Sequence, residues 1–255
     1  MQRVLAAAVA AAALVTASPA QAAVDPVKAL KKQFVTGHGV KISEVARMRS
    51  KGEKPEIVQI TGTLAFSGSG VVASDMTMRG FRTKATLRFL VVGKQLYLHA
   101  GEFGGRLPEG KTWVRMGDAT NASATTQPVD IFRLRELKGL LSHAGSAKSG
   151  LYRGSLTSGQ TRKVTGGRGD QSFGYRLTIG SNGLPSRLFT DSKVAVDRHL
   201  WLRETTDTRY TAWGHKVTIE APPEDQVIDA DEADAALDEV RDELQIISNE
   251  ALATR

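Results

Sequence analysis

The string GRLPEGKT, residues 105–112, satisfies the phosphate-loop pattern G-x-x-x-x-G-K-[ST] through Gly105, Gly110, Lys111 and Thr112. Such a loop holds phosphates with backbone N–H groups at the start of a helix, so it needs a strand before it and a helix after it. From Thr112 to Met116 the β-branched and aromatic Thr112, Trp113 and Val114 outnumber the helix formers Arg115 and Met116, and the chain then enters the polar stretch GDATNASATTQP. Leu107-Pro108-Glu109-Gly110 has the composition of a tight turn, with Pro at its second position and Gly at its end. The expectation is therefore a turn between two strands, KQLYLHA and KTWVRM, with Lys111 replaceable by alanine at little effect.

Other chemistry-bearing types are scattered. His38, His99, His143, His199 and His215 each stand alone, without a second His or Cys at metal-ligand spacing. The chain has no G-x-S-x-G, S-x-x-K or H-E-x-x-H string. Glu204 and Asp207 are strand carboxylates that could meet as an acid/base pair, which sequence cannot decide. Arg168-Gly169-Asp170 spells an adhesion tripeptide within a Gly-rich turn, and Asn121-Ala122-Ser123 matches a short glycosylation pattern. No catalytic residue, cofactor or metal is expected from these.

Residues 1–22 combine a basic start at Arg3, an apolar run from Val4 to Val15 and the small-residue string Ala20-Gln21-Ala22, as in a secretory signal peptide. The expected location is secreted or in the cell envelope. With no cysteine in the chain, neither a disulfide nor a lipid anchor on an N-terminal cysteine is expected. Charge is uneven: Val24 to Pro223 has 31 Lys and Arg against 16 Asp and Glu, a net of +15, whereas Glu224 to Arg255 has 2 against 11, a net of −9. The basic residues are spread over every strand and loop, as simple solvation would have them, although an anionic membrane or acidic wall polymer would also meet them.

Hydrophobic periodicity supplies the elements. Val27, Leu30 and Phe34 suit a short amphipathic helix with Pro26 at its start. From Gly37 onward the period becomes two. Val58, Ile60, Leu64 and Phe66 alternate with polar residues, as do Val72, Met76 and Met78, and then Phe81, Leu87 and Phe89. One helical window, Pro128 to Gly145, repeats Ile131, Leu134, Leu137 and Leu141 at three- and four-residue steps. Strands then resume as LYRGSLT, TRKVT, FGYRLTIG, SRLFTDSKVAV, LWLRETTDTRYTAW and HKVTIEAPP. The expected fold class is α+β: a curved antiparallel half-barrel of about eleven strands with a central helix on its concave face and an extra helix at the C-terminal end.

YLHAGEFGGRLPEGKTWVRM, QPVDIFRLRELKGLLSHAGSAKSGLYRGSLT, FGYRLTIGSNGLPSRLFT and TRYTAWGHKVTIEAPPEDQV resemble, in that order, the LppX/LprAFG-type envelope lipoproteins of actinobacteria. The resemblance spans roughly Asp25 to Val227. It implies a fold similar to the LolA/LolB carriers, a half-barrel enclosing an apolar cavity for acyl chains. The absent anchor cysteine departs from that pattern, and so does the acidic stretch after Val227, whose Ala233, Leu237, Val240, Leu244, Ile247 and Ala251 fall on one helical stripe.

These readings divide the chain into a signal peptide (1–22), a half-barrel domain (23–228) and an acidic amphipathic helix (229–255). The ligand-binding residues expected are Val58, Leu64, Phe66, Met76, Met78, Leu87 and Phe89 from the strands, with Ile131, Leu134, Leu137 and Leu141 from the helix. The leading expectation is a non-enzymatic binder or carrier of a lipid or acylated molecule, with no nucleic-acid partner. The alternatives are a regulatory protein-interaction module of the same fold and a cell-wall hydrolase.

Overall fold

The computed structural model describes residues 24–50, 52, 54–80, 86–99, 101, 107–119, 122–123, 125–195 and 201–233. The expected signal peptide and all but the first residues of the acidic helix lie outside them, as do Gly105 and Arg106 of the phosphate-loop string.

Among the described residues twelve strands form one open sheet. They are β1 (His38–Ser50), β2 (Glu56–Ser67), β3 (Gly70–Gly80), β4 (Thr86–Val92), β5 (Gln95–His99), β6 (Trp113–Asp118), β7 (Ala144–Lys148), β8 (Leu151–Leu156), β9 (Phe173–Ile179), β10 (Pro185–Ala195), β11 (Trp201–Lys216) and β12 (Val227–Asp229). The order is β12-β6-β5-β4-β3-β2-β1-β11-β10-β9-β8-β7, so the sheet begins and ends on short strands and does not close. All pairs are antiparallel except β12 with β6.

Alternation explains which way the strands face. In β1, Val40, Ile42, Glu44 and Ala46 are buried while Lys41, Ser43, Arg47 and Arg49 are exposed. Strands this long coil, and bulges add local twist, here at Gly39/Lys41 and Ala65/Phe66 among others. The Ala65/Phe66 bulge also switches parity along β3, so Met76 and Met78 point inward while Val72, expected on the same inward stripe, is exposed. Gly62 is required where β2 meets β3, since a Cβ there would stand 2.1 Å from the Asp75 carbonyl oxygen.

Among the described residues three α-helices accompany the sheet, α1 (Pro26–Lys31), α2 (Leu134–Ser142) and α3 (Ser158–Thr165), with a short 3-10 turn at Glu224–Gln226. Asp25 caps α1, its carboxylate accepting from the amides of Val27 and Lys28, and Pro26 opens the helix. Leu30, Leu137, Leu140 and Val164 from these helices join the inward strand residues in one apolar core. Gly139 lets α2 and α3 touch, because a Cβ there would lie 2.6 Å from Val164 Cγ1.

Several sequence expectations are corrected. TRKVT is not a strand but the second half of α3. Thr157 and Gln160 form a capping box and Gly166, at φ 71°, closes the helix in the left-handed conformation. The helical window from Pro128 is helical only from Leu134, leaving Ile131 in the turn before it, and Leu140 is buried where the expected stripe had Leu141. HKVTIEAPP is not a separate strand: β11 runs on to Lys216 and the chain then crosses the outer face to β12. There Ile219 packs on a second small cluster of Leu90, Tyr97, Trp113 and Val227.

The segment after Thr112 is strand β6, as the turn reading of GRLPEGKT requires. Lys111 is not idle, however. Its Nζ donates to the Val227 carbonyl at 2.7 Å, and Thr112 N donates to Gln226 O at 2.9 Å, so the string's end fastens β12 to the sheet.

Candidate functional site

The expected ligand-binding residues do come together. Val58, Leu64, Phe66, Met76, Met78, Leu87, Phe89, Ile131 and Leu137 belong to one cluster, each between 0% and 3% exposed, with Leu134 and Leu141 partly buried against it. Side chains lining a ligand-sized void would show surface to it. These nine show almost none and are packed against one another.

Across part of the same face runs a polar band. Thr206 and Thr208 of β11, Thr190 and Ser192 of β10 and Glu44 of β1 are all buried. Residues 126 and 127, leading into α2, lie on this band as a strap. Glu44 Oε1 accepts from the Thr126 amide at 2.8 Å and its hydroxyl at 2.9 Å, and Glu44 Oε2 accepts from the Thr208 hydroxyl at 2.5 Å. Gln127 Nε2 donates to Thr208 Oγ1 at 2.7 Å, and Gln127 Oε1 accepts from Thr190 Oγ1 at 2.8 Å. Burial pushes the Glu44 carboxyl up, against the opposing hydrogen bonds from Thr208 and Thr126. Glu204, farther along the band, is pushed up to about 6 by burial first and the Glu44 charge second.

This arrangement settles the strand carboxylates. Glu204 faces inward and Asp207 outward, where Arg187 holds it through Nε at 2.7 Å and Nη2 at 2.6 Å. Odd and even positions of one strand point to opposite faces, so these two carboxylates do not form an acid/base pair. The adhesion-like tripeptide is engaged within the chain: Arg168 pairs with the buried Glu136, while the exposed Asp170 pairs with Arg162 at 3.4 Å.

Open space lies instead at the end of the sheet where the β2–β3 and β4–β5 turns meet α1 and the start of α2. A cleft of about 890 Å³ is bordered there by Phe34, Val71, Val72, Phe132 and Leu134, with Lys31, Lys94 and Arg133 among its polar neighbours. That volume falls in the range of about 300–1,000 Å³ usual for small-molecule sites. Its floor is rigid. Phe66, deep in the core, has its ring centroid 5.4 Å from that of Phe34 and 5.9 Å from that of Phe132, and Phe132 meets Tyr210 edge-on at 5.8 Å.

The charges around the cleft are unequal. Arg133 Nε lies 3.6 Å from Asp130 and 3.9 Å from Glu136, so that cation is compensated. Asp118 accepts from Gln95 Nε2 at 2.6 Å. Lys31 and Lys94 have no ion pair among the described residues. Of the expected site residues only Leu134 borders the cleft. Lys94 and Phe132 lie in a turn and ahead of a helix, outside any periodic stripe, whereas Phe34 belongs to the α1 stripe and Val72 to the period-two stripe of β3, and neither pattern by itself points to a cleft. Pro128 and Asp130, both turn formers, were the available signal that the chain bends before Phe132.

No family model matches the chain, and no curated protein matches it in sequence. Among solved structures it is similar to a LolA superfamily protein from Nitrosomonas europaea, at 10% identity over 76% of this chain and 93% of that one, with a TM-score of 0.30. It is also similar to a DUF1329 family protein from Desulfovibrio piger, at 10% identity over 77% of this chain and 96% of that one, with a TM-score of 0.25. The fold stands on the strand order of the sheet rather than on these likenesses.

Proposed function

We propose that the protein is a non-enzymatic binder of a lipid or acylated molecule of the cell envelope, and that the ligand sits in the cleft at the strand-turn end. The observation that carries this is the cleft's division into an aromatic and aliphatic floor, Phe34, Phe132, Val71 and Leu134, and a rim with the lysines 31 and 94. An amphiphile with an anionic head matches both parts. Burying eight methylenes contributes about 6 kcal/mol at about 0.8 kcal/mol each, before ordering costs. The leader-like first residues support export, so such a binder would work outside the cytoplasm.

A fluorescent fatty acid offered to delipidated protein tests the reading. It should bind with micromolar affinity. Val72→Glu, at a 39% exposed position that tolerates a charge, should weaken it at least about tenfold. Lys94→Glu should weaken the fatty acid but not the matching fatty alcohol. No binding, or binding untouched by both changes, would sink the proposal.

A second reading, a regulatory module that grips a partner protein, is favoured by the packed interior. Nine side chains at 0–3% exposure show almost no surface to an acyl chain along the concave face. Failure of the probe experiment would leave this reading in place.

A further inference from the structure

We infer that the outer face of strands β8, β9, β10, β11 and β1 is a docking surface for an anionic lipid bilayer. Basic residues that are far apart in sequence are gathered there by strand register. Outward positions of β1 carry Lys41, Arg47 and Arg49, and those of β11 carry Arg203 and Arg209. Outward positions of β10 carry Arg187 and Lys193, and β9 and β8 add Arg176 and Arg153. Against these nine cations the described residues of the same face carry two carboxylates, Asp191 and Asp207, an excess of seven positive charges among them.

Both carboxylates are already taken. Arg187 holds Asp207, and Arg203 holds Asp191 through Nε at 2.9 Å and Nη2 at 2.5 Å. Lys41, Arg47, Arg49, Arg153 and Arg209 form no ion pair with a carboxylate among the described residues, and Arg176 feels Asp191, already held by Arg203, only as a more distant charge.

Like charges also stand directly opposite one another: Arg187 faces Arg209, Arg203 faces both Lys193 and Arg49, and Arg153 faces Arg176. Cross-strand pairs of like sign are destabilising, and an anionic partner relieves them. Arginine forks suit phosphate oxygens in particular.

The shape of the array selects the partner. Five adjacent strands span about 19 Å at roughly 4.8 Å per spacing, and Lys41 to Arg49 spans about 27 Å along β1. A two-dimensional array of that extent matches a plane of headgroups. A linear polyanion would follow a groove, and single-stranded nucleic acid would stack on exposed rings. The one ring described on this face, Phe189, is covered by the Arg176 guanidinium, 4.3 Å from its centroid.

Co-sedimentation of the full chain with vesicles is the test. Phosphatidylcholine vesicles should leave the protein in solution, and vesicles containing phosphatidylglycerol should bring it down, reversibly with salt. At roughly fivefold per cation, the variant Arg47→Gln/Arg49→Gln/Arg176→Gln/Arg209→Gln should partition at least a hundredfold less while melting at or above the wild-type temperature. Lys138→Gln/Lys163→Gln, on the helices of the opposite face, should change partitioning less than about twofold by the same measure. Equal binding to both vesicle types, no binding, or an unaffected quadruple variant would overturn the inference. So would tighter binding to a single-stranded oligonucleotide that the same variant loses. The surface is independent of the cleft: vesicle binding without acyl-probe binding keeps this inference and removes the proposed function, and the converse does the opposite.

Discussion

Glu44 and Thr126, 82 residues apart, are joined twice: the Thr126 amide and hydroxyl both donate to Glu44 Oε1, at 2.8 and 2.9 Å. One strand side chain thereby determines where the strap before α2 crosses the concave face. Glu44→Ala removes the acceptor and leaves the Thr126 N–H and the buried Thr208 hydroxyl without it. The expected cost is about 2–4 kcal/mol. Glu44→Gln keeps a carbonyl oxygen and should cost distinctly less. Urea unfolding of the two variants checks this, and equal losses would show that the strap does not depend on the bond.

Glu204 predicts a pH dependence. Its folded-state pKa, about 6, lies above the ordinary 4.5, so between these values the folded chain holds a proton that the unfolded chain has released. Stability therefore falls as pH rises from about 4.5 to about 6 and is level above that. The loss is on the order of 1–2 kcal/mol. The buried Glu44 contributes in the same direction, so the diagnostic is a difference: Glu204→Gln should have a shallower slope than the wild type across this window. Identical slopes by thermal or urea melts would refute it.

Lys111 supports a structural prediction. Its ammonium donates to the Val227 carbonyl, at the sheet end that Arg115 also secures through Asp229 at 2.6 Å. Lys111→Ala should cost about 1–2 kcal/mol and speed hydrogen exchange in β12, with no nucleotide affinity to lose. Unchanged exchange at Ile228 and Asp229 would show that the bond carries no weight.

How far these features were legible in the sequence depended on how local their causes are. Period-two alternation and the Asp25-Pro26 start are set within a few residues, which is why the inward strand positions and α1 could be read directly. TRKVT has three β-branched residues, Thr161, Val164 and Thr165, yet it is helical because the Thr157-x-x-Gln160 capping box and Gly166 close both ends of the helix. The strap, the cleft and the basic face were not legible at all. Each depends on register between segments far apart in the chain: β1 pairs with β11 from His38 opposite Lys216 to Ser50 opposite Leu202. Composition alone determined that the body is basic. Tertiary pairing decided that nine of those charges share one face, since a one-residue slip in any strand would have turned its arginines into the core.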